Sequence, residues 1–174
     1  MKKIAILLGL VMVVGIASLS LAGNPDTINL RVTPVSNVSV NIIDASYNFG
    51  IVALYNGTTE STALDVKNDG SVQASWDHKA ADATGGTSTW NLVYAGAAAS
   101  TDEFRLWAKI EATKPTLGAG DEVTDSDTSL GGGANVPIDT TKKLWIKLEM
   151  PYGVTGADGN AEHTSVYTIT ATAD

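Results

Sequence analysis

Residues 105–112 read RLWAKIEA and residues 143–150 read KLWIKLEM. Both follow one order: basic, Leu, Trp, apolar, Lys, apolar, Glu, apolar. Leu106, Ala108 and Ile110 alternate with Trp107, Lys109 and Glu111; Leu144, Ile146, Leu148 and Met150 alternate with Trp145, Lys147 and Glu149. In a strand, side chains two apart share a face, whereas a core-facing helix repeats its apolar residues at three and four. The alternation therefore predicts two half-buried β-strands. It recurs in both directions along the chain, at Ile28, Leu30 and Val32, at Val38, Val40 and Ile42, at Leu64 and Val66, and at Tyr167, Ile169, Ala171 and Ala173.

Turn chemistry separates these runs. Asn56-Gly57, Asn68-Asp69-Gly70, Gly85-Gly86, Gly131-Gly132-Gly133 and Asp158-Gly159 supply the positive φ that reversals need. Pro34, Pro137 and Pro151 sit at strand ends, where a missing N–H is tolerated. Lys79 to Ser88 and Thr113 to Thr141 read as two long loops. Short strands with regular turns and no long helix predict an all-β fold, an immunoglobulin-like or jelly-roll β-sandwich of about seven to nine strands.

The front of the chain reads differently. Met1-Lys2-Lys3 is basic, Ile4 to Leu21 is almost wholly apolar, and Ser20-Leu21-Ala22 ends in small residues around a leucine. This pattern is that of a secretory signal peptide, residues 1–22, expected to be helical and cleaved after Ala22. An uncleaved anchor is the alternative, since about 18 apolar residues just span a bilayer. With no cysteine in the chain, a lipoprotein anchor and disulfides are both excluded. Removing 22 of 174 residues leaves 152, Gly23 to Asp174, a length suited to a single sandwich domain over residues 23–174. Lys2 and Lys3 leave with the signal, so 9 basic residues remain against 19 acidic ones, a net charge of −10. Such a surface repels phosphate backbones and anionic lipid, which argues against nucleic-acid and membrane partners. The Lys-Lys apolar leader and disulfide-free body fit a bacterial exported protein of the periplasm, cell surface or medium.

Residues 47–70, YNFGIVALYNGTTESTALDVKNDG, carry Phe49-Gly50-Ile51-Val52 at one end and Val66-Lys67-Asn68-Asp69-Gly70 at the other. This stretch resembles the first strands of the ASH/MSP type of immunoglobulin-like domain, although the turn glycine, Gly57, sits later than in those domains. The resemblance implies a seven-stranded sandwich used for binding or assembly, without a catalytic site.

If Leu106 and Leu144 face the core, Trp107 and Trp145 face the other way, with Lys109 and Lys147. An aromatic on a solvent face calls for a cover. Three covers are consistent with the sequence: the loop Thr113 to Thr141, a second subunit, or a sugar ring stacked on the indoles. Trp76 and Trp90 read as packing residues. In the acidic loop, Asp125, Asp127 and Ser129 match the first three ligand spacings of a calcium loop, but Leu130 stands where that loop needs Gly. Asp158, Asn160 and Glu162 form a second set of alternate oxygens. His78 and His163 fall in no metal-ligand spacing, and neither a Gly-x-Ser-x-Gly elbow nor a phosphate loop is present. No cofactor other than calcium is indicated.

These features point to a non-catalytic structural or adhesive protein, a subunit of a surface filament or matrix. It is expected to associate with itself or with other surface proteins by strand addition, with donor segments at Asn24 to Ile43 or Thr164 to Ala173. The alternative is a carbohydrate-binding module that holds polysaccharide on Trp107 and Trp145.

Overall fold

The computed structural model describes residues 31–94, 99–156 and 160–174. The expected signal helix, the alternation at residues 28–30 and Asp158 lie outside them. By its internal contacts the chain divides into Met1–Pro34 and Val35–Asp174. In the first unit Arg31–Pro34 is exposed and without regular structure.

The chain is all-β, with no α-helix among the described residues. The described residues form ten strands: β1 Val40–Ile42, β2 Thr58–Glu60, β3 Leu64–Asn68, β4 Ala74–Ala80, β5 Ala83–Gly85, β6 Ser88–Leu92, β7 Glu103–Ile110, β8 Thr128–Ser129, β9 Thr141–Glu149 and β10 Tyr167–Ala173. One more than the expected upper count arises because β2, β5 and β8 are only two or three residues long. One sheet runs β1-β3-β9-β7-β6-β5, with β2 also on β9; the other runs β10-β4-β8.

The two motif strands, β7 and β9, are antiparallel neighbours at the centre of the larger sheet. Their core faces carry Phe104, Leu106, Ala108 and Ile110 from β7, and Leu144 and Ile146 from β9. Trp76, Ala74 and Ala80 from β4 join the same apolar cluster, as do Leu64, Val66, Trp90, Leu92 and Ile169. Trp76 and Trp90 are thus core residues, 1% and 6% exposed.

Two regions differ from the sequence reading. Lys79 to Ser88 is mostly strand rather than loop: β4 continues to Ala80, and β5 and β6 form a hairpin closing at Gly85↔Ser88. Gly86, at φ 54°, supplies the tight reversal. The β-branched threonines on either side keep the flanks extended. Thr113 to Thr141, read as a loop, contains β8 and is bonded along two strands. Ala108 N–H donates to Asp121 C=O and Val123 N–H to Leu106 C=O, which completes one edge of β7. Leu130 N–H donates to Trp76 C=O, Trp76 N–H to Gly133 C=O and Ala80 N–H to Thr124 C=O, which completes one edge of β4. The apolar residues Val123, Leu130 and Val136 lie in the core and tie this segment down. A long connection without helix otherwise leaves its backbone groups unpaired.

Candidate functional site

The repeated motif explains the face opposite the core. The β7–β9 register pairs Arg105↔Glu149, Trp107↔Lys147 and Lys109↔Trp145, and Glu111 N–H donates to Lys143 C=O at 3.0 Å. A stretch ordered basic–Trp–Lys–Glu on one face is complementary to a second copy of itself run antiparallel: basic meets Glu, and Trp meets Lys. Directly opposed residues on one face are the pairs that stabilise a sheet. A slip of one residue throws every side chain to the other face, and a slip of two breaks this matching. The motif therefore fixes the register of the two central strands.

Trp107 is 6% exposed rather than open to water. The Arg105 guanidinium carbon lies 5.0 Å from its ring centre and the Lys147 ammonium 4.9 Å, both within cation–π range. Trp107 also bridges to Glu122 in the long connection. Trp145 is half-buried, and its Nε1–H donates to Glu111 C=O at 2.9 Å. Lys109 lies 3.7 Å from Glu111 and 3.9 Å from Asp121. The structure thus brings Trp107, Trp145, Lys109 and Lys147 onto one face, but as a packed sheet surface with one indole enclosed. A sugar ring needs the flat face of an aromatic free; that of Trp107 is taken by its own chain. Trp107→Ala is expected to lower stability by about 3 kcal/mol, the range for burying and then deleting a large aromatic, and Trp145→Ala by about 1 kcal/mol. Urea unfolding of the two variants measures both.

Arg105 and Glu149 form a pair that single-residue reading missed. The guanidinium Nη2 lies 2.6 Å from Glu149 Oε2, with side chains 14% and 8% exposed. Glu149 Oε1 also accepts from Ala99 N–H at 3.1 Å. The complementarity of the two motifs was the available signal.

The acidic loop holds its residues apart from one another. Asp127 is bonded to Lys79 at 3.0 Å, Ser129 pairs with Asp77 in the β8–β4 ladder, and Asp125 lines a shallow open depression beside Lys79 and Asp82. Asp82 in turn accepts from Leu92 N–H at 2.8 Å. Among the described residues, no three His, Asp or Glu side chains converge to hold a metal ion.

His78, 2% exposed, faces the core, and its Nδ1 lies 2.9 Å from the Tyr167 hydroxyl. Burial pushes the His78 pKa down, partly offset by the neighbouring Asp77 carboxylate. Burial of the hydroxyl end pushes the Tyr167 pKa far up. The unfolded chain therefore binds a proton at His78 more readily than the folded one. The stability it contributes is complete above the ordinary histidine value of about 6.5 and is lost as pH falls below it. For Tyr167 the sign reverses: stability is lost as pH rises through about 10. Thermal midpoints measured from pH 4 to 11 are expected to fall at both ends, and His78→Gln flattens the acid limb near pH 6.

The chain's exposed aromatics lie elsewhere. Tyr55 is 75% exposed at φ 63°, beside Asn56 at φ 58°, and meets Tyr152 edge to face at 5.3 Å. Two successive non-glycine residues in the left-handed region hold this tip in a conformation that ordinary side chains avoid. The Asn56-Gly57 turn signal marked the reversal but not its aromatic display.

No family model matches the chain, and no curated protein or solved structure matches it either.

Proposed function

We propose that this chain is an exported, non-catalytic β-sandwich module of immunoglobulin-like type that works by self-association in a surface filament or matrix. The observation that carries the reading is an open sheet edge in a chain that also has an apolar, exposed N-terminal segment. β10 pairs with β4 on one side and with no strand on the other among the described residues. Val32 and Val35 are 91% and 90% exposed. Exposed edges are templates for pairing with another chain, and proteins that stay monomeric blunt them with charge, proline or bulges. β10, YTITATA, has none of these. Its composition, β-branched and uncharged, is that of a segment that pairs readily.

The two central strands support the same reading, since their charged and aromatic side chains are used up in holding the sheet. The immunoglobulin-like assignment draws on the resemblance at residues 47–70, whose Val66 and Asn68 are both fully buried. Sedimentation velocity over a hundredfold concentration range, with and without calcium, tests the function. Species heavier than one chain, growing with concentration, are expected. A single species of one chain's mass at every concentration overturns the reading.

A further inference from the structure

We propose that the seven-residue segment Thr27–Thr33 of one copy adds as a strand to the outer edge of β10 in a second copy. The proposal rests on the self-association read above and names its donor and acceptor.

The acceptor follows from ladder phase. Ala81 N–H donates to Val166 C=O and Asp174 N–H to Gln73 C=O at the two ends of the β10–β4 ladder. In an antiparallel ladder bonded pairs alternate. Thr168, Thr170 and Thr172 therefore turn their N–H and C=O groups to β4. Tyr167, Ile169, Ala171 and Ala173 turn theirs outward, while Ile169 keeps its side chain in the core at 8% exposure. β1, the edge of the other sheet, comes within 8 Å of β10 but forms no ladder with it. One intervening strand needs about 9.5 Å, twice the spacing of paired strands. The short β1 must therefore move aside by at least about 1.5 Å as the donor seats.

The donor follows from sequence and tether. Thr27-Ile28-Asn29-Leu30-Arg31-Val32-Thr33 alternates throughout and is bounded by Pro25 and Pro34. Prolines end a ladder because they lack the N–H. Of the eight residues between them Asp26 precedes the alternating run, whose seven residues equal the length of β10. Asn37 is fastened to the β3–β4 turn: its C=O accepts from Ser71 N–H at 2.8 Å. A Cβ on Gly70 would lie 2.6 Å from that same carbonyl, so the close passage needs glycine. Asn37 thus lies at the end of the body where β10 finishes, opposite Gln73. A neighbouring copy stacked at that end presents its β10 to the segment before Asn37, and repetition of the contact is head-to-tail, a filament where the rotation does not close a ring.

The chain has no cysteine, so engineered pairs report without background. Thr170→Cys combined with Asn29→Cys, and separately with Arg31→Cys, is expressed from the full-length chain with its own leader and oxidised after export. Thr170 is non-bonded toward the outer edge, the position whose Cα spacing suits a cross-strand disulfide. A ladder of disulfide-linked multimers in one of the two pairs is expected. Leu30→Asp in the cysteine-free chain should raise the concentration needed for assembly about tenfold or more, the loss of one buried leucine. A disulfide that closes within single chains overturns the proposal, because the segment then completes its own sheet. Heavy particles that form no disulfide in either pair, and that Leu30→Asp leaves unchanged, overturn the proposal while self-association stands. A cysteine-free chain that stays monomeric overturns both.

Discussion

Replacing Arg105 by alanine is expected to lower the unfolding free energy by about 3 kcal/mol or more. The substitution strips Glu149, whose side chain is 8% exposed, of its charged partner at 2.6 Å. A carboxylate left buried without its counter-ion is strongly destabilising, roughly 3–5 kcal/mol, whereas exchanging both members for apolar residues of similar volume is far milder. Arg105→Ala also removes one of the two cations packed over Trp107. The double variant Arg105→Met with Glu149→Leu should therefore be more stable than Arg105→Ala, although it carries one more substitution. Denaturant unfolding of the two variants and the parent decides this. If the double variant proves the less stable, the pair is more than a matched burial and the reasoning fails.

Asn68→Ala is expected to destabilise by about 3 kcal/mol. Asn68 is fully buried, and its amide does three jobs. Nδ2 donates to Val72 C=O at 3.0 Å and to Val136 C=O at 2.9 Å, while Oδ1 accepts from Gly70 N–H at 3.1 Å. The side chain so joins the β3–β4 turn to the long connection. Truncation strips Gly70 N–H and Val72 C=O of this partner in a part-buried turn, while Val136 C=O keeps its bond from Ala74 N–H; the loss, at roughly 1–3 kcal/mol for a group left without a partner, adds to that of a small cavity. Asn68→Asp retains the acceptor and loses both donors, so it should be no better. A loss under 1 kcal/mol for Asn68→Ala, by urea midpoint at constant slope, contradicts this role.

Much of the fold was legible because alternation is a direct imprint of the pleat. β3, β7, β9 and β10 all carry it, and each lies where the period placed it or extends beyond; β4 was not among the alternating runs, and it continues past Trp76 to Ala80, into a stretch read as loop. The long connection was less legible. Its pairing with β7 and β4 is made by backbone groups of residues such as Asp121, Thr124 and Gly133, whose side chains announce a turn. Periodicity sees side chains and is blind to which carbonyl receives which N–H. The tryptophans show a second limit. Period two assigned Trp107 to the face away from Leu106, but not what covers it. That depended on a non-local pairing with Glu122 and on cations from two strands. The clue lay in comparing the motifs with each other, since each is the complement of the other read backward. For the calcium-like spacing at Asp125, Asp127 and Ser129, sequence distance said nothing of direction: Lys79, 48 residues upstream of Asp127, takes that carboxylate.

The most direct test of the account is amide hydrogen exchange at Tyr167, Ile169, Ala171 and Ala173, compared between dilute and concentrated protein. These four amides point away from β4 and have no strand partner among the described residues. The account predicts fast exchange in dilute solution and strong slowing in the assembled state, while Thr168, Thr170 and Thr172 are protected in both. Equal exchange at the four positions in both states, with heavier particles present, contradicts assembly through the β10 edge.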